Sequence, residues 1–187
     1  MRLRPGEAES EVAWTEFYRI YSPLISGFAR RLGATADAAE EAVQEVLSGF
    51  FAVSPRFEYD PSKGTFRGYL KVCTVRVLAK LHAKQRLVVG RPLLQMADDA
   101  PEVVRAWDDQ WDQERLDRAL REVREHYAAN AQMACTFRAF ELVVIFGMSS
   151  ENVAAELNVS VESVYAAKSR ISKALRKSMD SMNDTLR

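Results

Sequence analysis

The side chains best placed to do chemistry in this chain are cations, and their spacing points to binding rather than catalysis. Residues 65–86 contain six Lys or Arg and no acid, and residues 168–177 contain five cations and no acid. Between them, residues 92–117 carry eight acids against two Arg. Like charges grouped this densely attract a polyanion, and an acidic stretch between two basic blocks would avoid it. Ordinary solvated helix faces give the same composition, so charge alone leaves that alternative open. Little else in the chain is reactive. No carboxylate pair lies beside a His, no glycine-rich loop could cradle a phosphate, and no nucleophile motif is present. Cys73 and Cys135 have no His or Cys at metal-ligand spacing and read as small core residues. His82 and His126 are isolated. No catalytic residue, metal ligand or cofactor is expected, so the chain reads as a non-enzyme without a small-molecule substrate.

The elements that must position these cations read as helices. Hydrophobic residues at 48% and charged ones at 28% suit a core-forming protein, and only eight Gly and six Pro disfavour a loop-rich β fold. No run of ~18 apolar residues could span a membrane, and the N-terminus lacks the apolar core of a signal peptide. A cytoplasmic location is expected. Val12, Trp14, Phe17, Ile20, Leu24, Ile25, Phe28 and Leu32 predict a helix over 11–32. Pro23 would kink or split it, and Gly33 would end it. Thr35 or Asp37 caps a second helix with Ala39, Ala42, Val43, Val46, Leu47 and Phe50 on its apolar face. Residues 54–64 hold two prolines and a glycine and read as a loop before a third helix over 65–85. Further helices are expected near 112–128, 131–146, 150–157 and 161–180. The fold class is all-α: two small helical domains, 1–88 and 112–187, joined by a flexible acidic linker over 89–111.

The last two helices are joined only by Asn158, Val159 and Ser160. Asn tolerates a left-handed turn, Val159 can plug the space between the helices, and the Ser160 hydroxyl can cap the second one. Val161, Val164, Ala167, Ile171 and Leu175 form one apolar stripe. The other side offers short residues first and cations later, which suits a helix entering the major groove at one end and lying along phosphates at the other. The residues expected to face DNA are Ser160, Glu162, Ser163, Tyr165, Ala166, Ser169, Arg170 and Lys173, with Arg176 and Lys177 beyond them. A plain helical hairpin in a structural bundle is the alternative.

Two upstream stretches narrow the choice. "DAAEEAVQEVLSGFF", residues 37–51, precedes "FEYDPSKGTFRGYLKV", residues 57–72. This order resembles the extracytoplasmic-function (ECF) sigma factors of bacterial RNA polymerase. Their pattern is an acid-rich helix with a Gln-Glu pair, here Gln44 and Glu45. A loop with an aromatic and an Asp follows, here Phe57 and Asp60, and then Phe66, Arg67, Gly68, Tyr69 and Leu70. "VAAELNVSVESVYAAKSRISKALRKS" resembles the same family's helix-turn-helix, and "VYAAKSRI" looks most like its planctomycete members.

The resemblance implies sigma region 2 over 1–88 and sigma region 4 over 112–187. It implies docking on the clamp helices of the polymerase largest subunit through Glu41, Gln44, Glu45 and Ser48, and recognition of the −35 element by the last helix, with the second domain seated on the polymerase flap. It also implies recognition and melting of the −10 element by the third helix and its preceding loop, with Phe57, Tyr59, Arg67, Lys71, Arg76, Lys80 and Lys84. Stacking of unpaired bases on aromatics contributes ~1–3 kcal/mol per base. Phe57 and Tyr59 suit that task; Phe66 and Tyr69 suit it or the core equally. The expected partners are core RNA polymerase, promoter DNA and, as is common in this family, an anti-sigma factor.

Two features depart from the pattern. Many members carry Asn and then Asp in the third helix where this chain has Arg76 and Lys80. Val72, Val75, Leu78 and Ala79 also give that helix a second apolar side, which packs or meets another protein. The rival reading is a stand-alone helix-turn-helix transcription regulator. It shares the last helices but leaves the Gln44-Glu45 helix, the Phe-Arg-Gly stretch and the acidic connector without a purpose.

Overall fold

A computed structural model describes residues 8–54, 60, 64–85 and 98–185, and every regular element among them is helical. Seven α-helices lie in the described residues: α1 Ala8–Arg31, α2 Ala36–Val53, α3 Phe66–Gln85, α4 Pro101–Tyr127, α5 Ala131–Phe140, α6 Ser150–Leu157 and α7 Val161–Thr185. A π-helical turn, Glu141–Ile145, continues α5. The helices divide between two compact units, with the boundary between Glu114 and Arg115, inside α4.

The first unit is built on α1–α3. α1 runs through Pro23 without a break. The carbonyl that loses its donor there is that of Arg19, an exposed residue, so water can replace the missing bond. Gly33, at φ 92°, stops the helix, and Ala34 N–H donates back to the Ala29 carbonyl at 3.0 Å. Thr35 then caps α2, its hydroxyl accepting from Ala38 N–H at 3.2 Å. The six apolar residues expected on α2, Ala39 through Phe50, are all buried. They face Leu24, Ile25, Phe28 and Ala29 of α1 and Leu70 and Leu81 of α3 in one core. Thr74, fully buried in α3, donates its hydroxyl to the Leu70 carbonyl at 2.8 Å and so leaves no bare polar group.

The acidic segment differs from the expected flexible linker. Residues 89–97 lie outside the described residues, but from Pro101 the chain is helical and its first half belongs to the first unit. Proline suits a first helical position, where its missing N–H would have no partner anyway. Val103, Trp107 and Trp111 recur every four residues and are all buried, while Glu102, Asp108, Asp109 and Asp112 remain exposed. The acids thus coat the outside of an apolar stripe rather than keeping the chain extended.

The second unit comprises the rest of α4 with α5, α6 and α7. Ala119, Val123, Tyr127, Phe137, Phe140, Ile171 and Leu175 form one buried cluster. Leu142, Val153, Ala154, Val164 and Ala167 belong to a second, under α6. Asn130 caps α5 by accepting from Met133 N–H at 2.9 Å. Where periodicity predicts a single helix over 131–146, the π-helical turn intervenes, with Phe146 N–H donating to the Glu141 carbonyl at 3.1 Å. The wider turn leaves Val144, Ile145 and Phe146 open to solvent.

Asn158 is the non-glycine residue with positive φ among those described, at φ 52° and ψ 50°. A β-branched residue there meets a steric penalty. Asn158→Ile is expected to lower the unfolding free energy by ~1–2 kcal/mol, and Asn158→Gly to stay close to wild type, in denaturant titrations followed by far-UV circular dichroism.

Candidate nucleic-acid interface

The α6–α7 pair is held by its turn. Ser149 caps α6, accepting from Asn152 N–H at 3.2 Å. At the other end, Val159 N–H donates to the Ala154 carbonyl at 3.0 Å, which the left-handed Asn158 makes possible. Ser160 then caps α7: its hydroxyl accepts from Ser163 N–H at 3.2 Å and lies 3.0 Å from the Ser163 hydroxyl. Val164, Ala167, Ile171 and Leu175 are buried, and Val161 is half-buried.

With that stripe inward, all eight positions expected to face DNA are exposed: Ser160, Glu162, Ser163, Tyr165, Ala166, Ser169, Arg170 and Lys173. Arg176 and Lys177 extend the exposed cations toward the C-terminus. The Glu162 carboxyl is held below its usual range by its own backbone N–H and by the Ser160 hydroxyl. It therefore stands as an anion at the helix N-terminus, a position the helix dipole favours.

The first unit disposes its expected site residues differently. On α2, Gln44 and Ser48 are exposed and Glu41 and Glu45 half-buried. Their spacing of three and four residues puts them on one face, opposite the buried one. On α3 the cations do not share a face. Arg67 and Lys71 follow one another by a turn, but at ~100° per residue Arg67 and Arg76 point to opposite sides. Lys80 reaches Glu45 of α2 at 2.8 Å, so a residue expected on the DNA surface joins one expected on the polymerase surface. Arg67 is bound by Asp108 of α4, and its guanidinium lies 4.9 Å from the Trp111 ring centroid. Phe57 and Tyr59 lie outside the described residues, as does the side chain of Lys84.

Phe66 and Tyr69 separate in role. Phe66 packs among Phe17, Tyr21 and Phe50, at ring-centroid distances of 5.8, 5.5 and 5.0 Å. Tyr69, stacked 6.0 Å from Phe66, keeps 37% of its surface exposed. Burial of its phenol, with a hydrogen bond to Cys73, pushes its pKa up to about 12. Val72, Val75, Leu78 and Ala79, on the second apolar side of α3, are each half-buried.

Sequence reasoning missed one surface. Leu116, Leu120, Val144, Ile145, Leu175 and Met179 line a groove of about 560 Å³ in the second unit. Phe146 stands beside it in sequence, 64% exposed, with the Arg138 guanidinium 5.7 Å from its ring. The apolar run Leu142–Phe146 was visible, but its outward turn depends on the π-helical geometry.

The profile of Sigma-70 region 2 matches residues 17–88, which take in most of α1 and all of α2 and α3. The chain is 28% identical over 167 residues to the "ECF RNA polymerase sigma factor RpoE" of Cereibacter sphaeroides, a match covering 88% of this chain and 83% of that one. No solved structure matches it. The bundle bearing Gln44, Glu45 and Arg67 thus matches sigma-70 region 2. The chain's similarity to an ECF sigma factor extends over both units.

The raised Tyr69 pKa carries a sign. A phenol that ionises later in the folded than in the unfolded protein adds stability below its ordinary value of 10.0, and that stability is lost as pH rises through about 12. The difference between wild-type and Tyr69→Phe phenolate absorbance titrations is expected to centre near pH 12, and Cys73→Ala is expected to lower that midpoint. A midpoint near 10 would contradict the assignment.

Proposed function

We propose that the chain is a bacterial alternative sigma factor that binds core RNA polymerase and directs initiation at a particular class of promoters. It acts in the cytoplasm, by binding and not by bond chemistry. The observation that carries this reading is the face of α7: a buried stripe holds the helix while its short, polar and then cationic side chains all meet solvent. Ser163, Ala166 and Ser169 let the helix approach base edges closely, and Arg170 and Lys173 supply guanidinium and ammonium donors. The second unit acts as sigma region 4 and reads the −35 element.

In the first unit, the Glu41, Gln44, Glu45 and Ser48 face is the seat for the polymerase clamp helices. The −10 element is met by α3 and the residues before it, with Phe57 and Tyr59 as stacking surfaces. Arg67, Lys71, Arg76, Lys80 and Lys84 serve phosphates, the flank of Arg67 and Lys71 being distinct from that of Arg76. The polymerase flap would seat on the apolar groove beside Val144, Ile145 and Phe146. That groove is accessible and apolar, as a protein partner requires. An anti-sigma factor is a further expected partner of the family.

Promoters recovered by sequencing transcripts after overexpression provide templates for the test. Arg170→Ala is expected to cost ~1–3 kcal/mol of holoenzyme affinity at the −35 element, and Lys173→Ala to reduce the salt dependence by about one phosphate contact. Co-purification with core polymerase should be unchanged in both. Gln44→Ala with Glu45→Ala should instead weaken core binding severalfold. Equal loss of core binding and promoter binding in all these variants would overturn the assignment.

A further inference from the structure

We propose that residues 101–111, the first half of α4, are an internal competitor for nucleic acid: they hold Arg67 in an ion pair with Asp108 until promoter DNA or polymerase displaces them. This rests on the sigma-factor reading, in which Arg67 belongs to the −10 surface.

The segment is seated by shape as well as charge. Trp107 is 2% exposed and meets Phe28 of α1 edge-on, with ring centroids 4.9 Å apart. Gln110 lies directly over Gly27, so closely that a Cβ on residue 27 would come within 2.2 Å of Gln110 Nε2. Arg31 donates from Nε to Gln110 Oε1 at 2.7 Å, and Gln110 Nε2 donates to Glu114 Oε1 at 3.0 Å. At the edge of this contact the Asp108 carboxylate accepts from Arg67, whose guanidinium also covers Trp111. A carboxylate and a phosphate both offer anionic oxygens to a guanidinium, so Asp108 accepts from the same group a DNA phosphate would engage. The exposed Asp109 and Asp112 add repulsion against any phosphate approaching the same side.

The ion pair at the edge of that contact is the part that yields. Asp108 is 55% exposed and Arg67 29%, so water and salt weaken their attraction. A polyanion offering several phosphates would outcompete one carboxylate.

The test uses the full chain without polymerase and a fluorescently labelled single-stranded oligodeoxynucleotide of mixed sequence, read by anisotropy at low salt. Asp108→Asn should tighten binding about two- to fivefold, the worth of one exposed pair. Asp109→Asn makes the same charge change on the outer side of the helix and should give a much smaller gain. Adding Arg67→Ala to Asp108→Asn should abolish the gain. Equal gains from Asp108→Asn and Asp109→Asn, or a gain that survives loss of Arg67, would overturn the proposal. Run-off transcription by wild type with core polymerase separates the two failures. If transcripts form but Asp108→Asn binds the oligonucleotide like wild type, the competitor role alone falls. If no promoter-dependent transcript forms, the sigma-factor reading falls and this proposal with it.

Discussion

The exposed face of α7 depends on one narrow stripe of the same helix. Ile171 has no exposed surface, and Val164, Ala167 and Leu175 share its side. Because these residues are small or aliphatic and recur at helical spacing, the helix is held along one side, and Glu162, Ser163, Tyr165, Ala166, Ser169, Arg170 and Lys173 stay in water. A wider stripe would have buried Tyr165 or Ser169. A narrower one would have left the helix free to roll, and a reading helix that rolls changes which side chains meet which bases. The left-handed Asn158 and the Ser160 cap hold the start of α7 on α6, so rotation and entry point are fixed by neighbouring residues.

Much of this architecture was legible in the sequence because local signals and packing agree. Asn158 and Ser160 are residue types that turn and cap, and they do both. Gly33 and Thr35 end one helix and begin another as their chemistry requires, and the six apolar positions of α2 are its buried face. Sequence reading did less well where two signals conflicted. The acids of 98–112 read as a repelled tether, although Val103, Trp107 and Trp111 at four-residue spacing, after a proline at a helix start, carried the opposite message. Composition reports how much charge a segment holds, but only spacing reports which side it occupies.

The same distinction explains α3. Six cations without an acid over 65–86 read as one basic block, yet Arg67 and Arg76 point to opposite sides of the helix and Lys80 leans onto α2. Net charge in a block is insensitive to the rotation between its members. The π-helical turn was similarly hidden, since an apolar run of this length fits a straight helix equally well until its hydrogen bonds are seen. The surfaces on Val144, Ile145 and Phe146 owe their exposure to that one irregularity.

The placement of the three tryptophans has an optical consequence. Trp14, Trp107 and Trp111 all precede Arg115, while the later unit holds only Tyr127 and Tyr165 as its phenols and no indole. Emission excited at the red edge of indole absorption therefore reports on the first bundle alone. Melting of the second bundle leaves that signal dark and is visible only by ellipticity, so the two transitions can be resolved in one unlabelled sample.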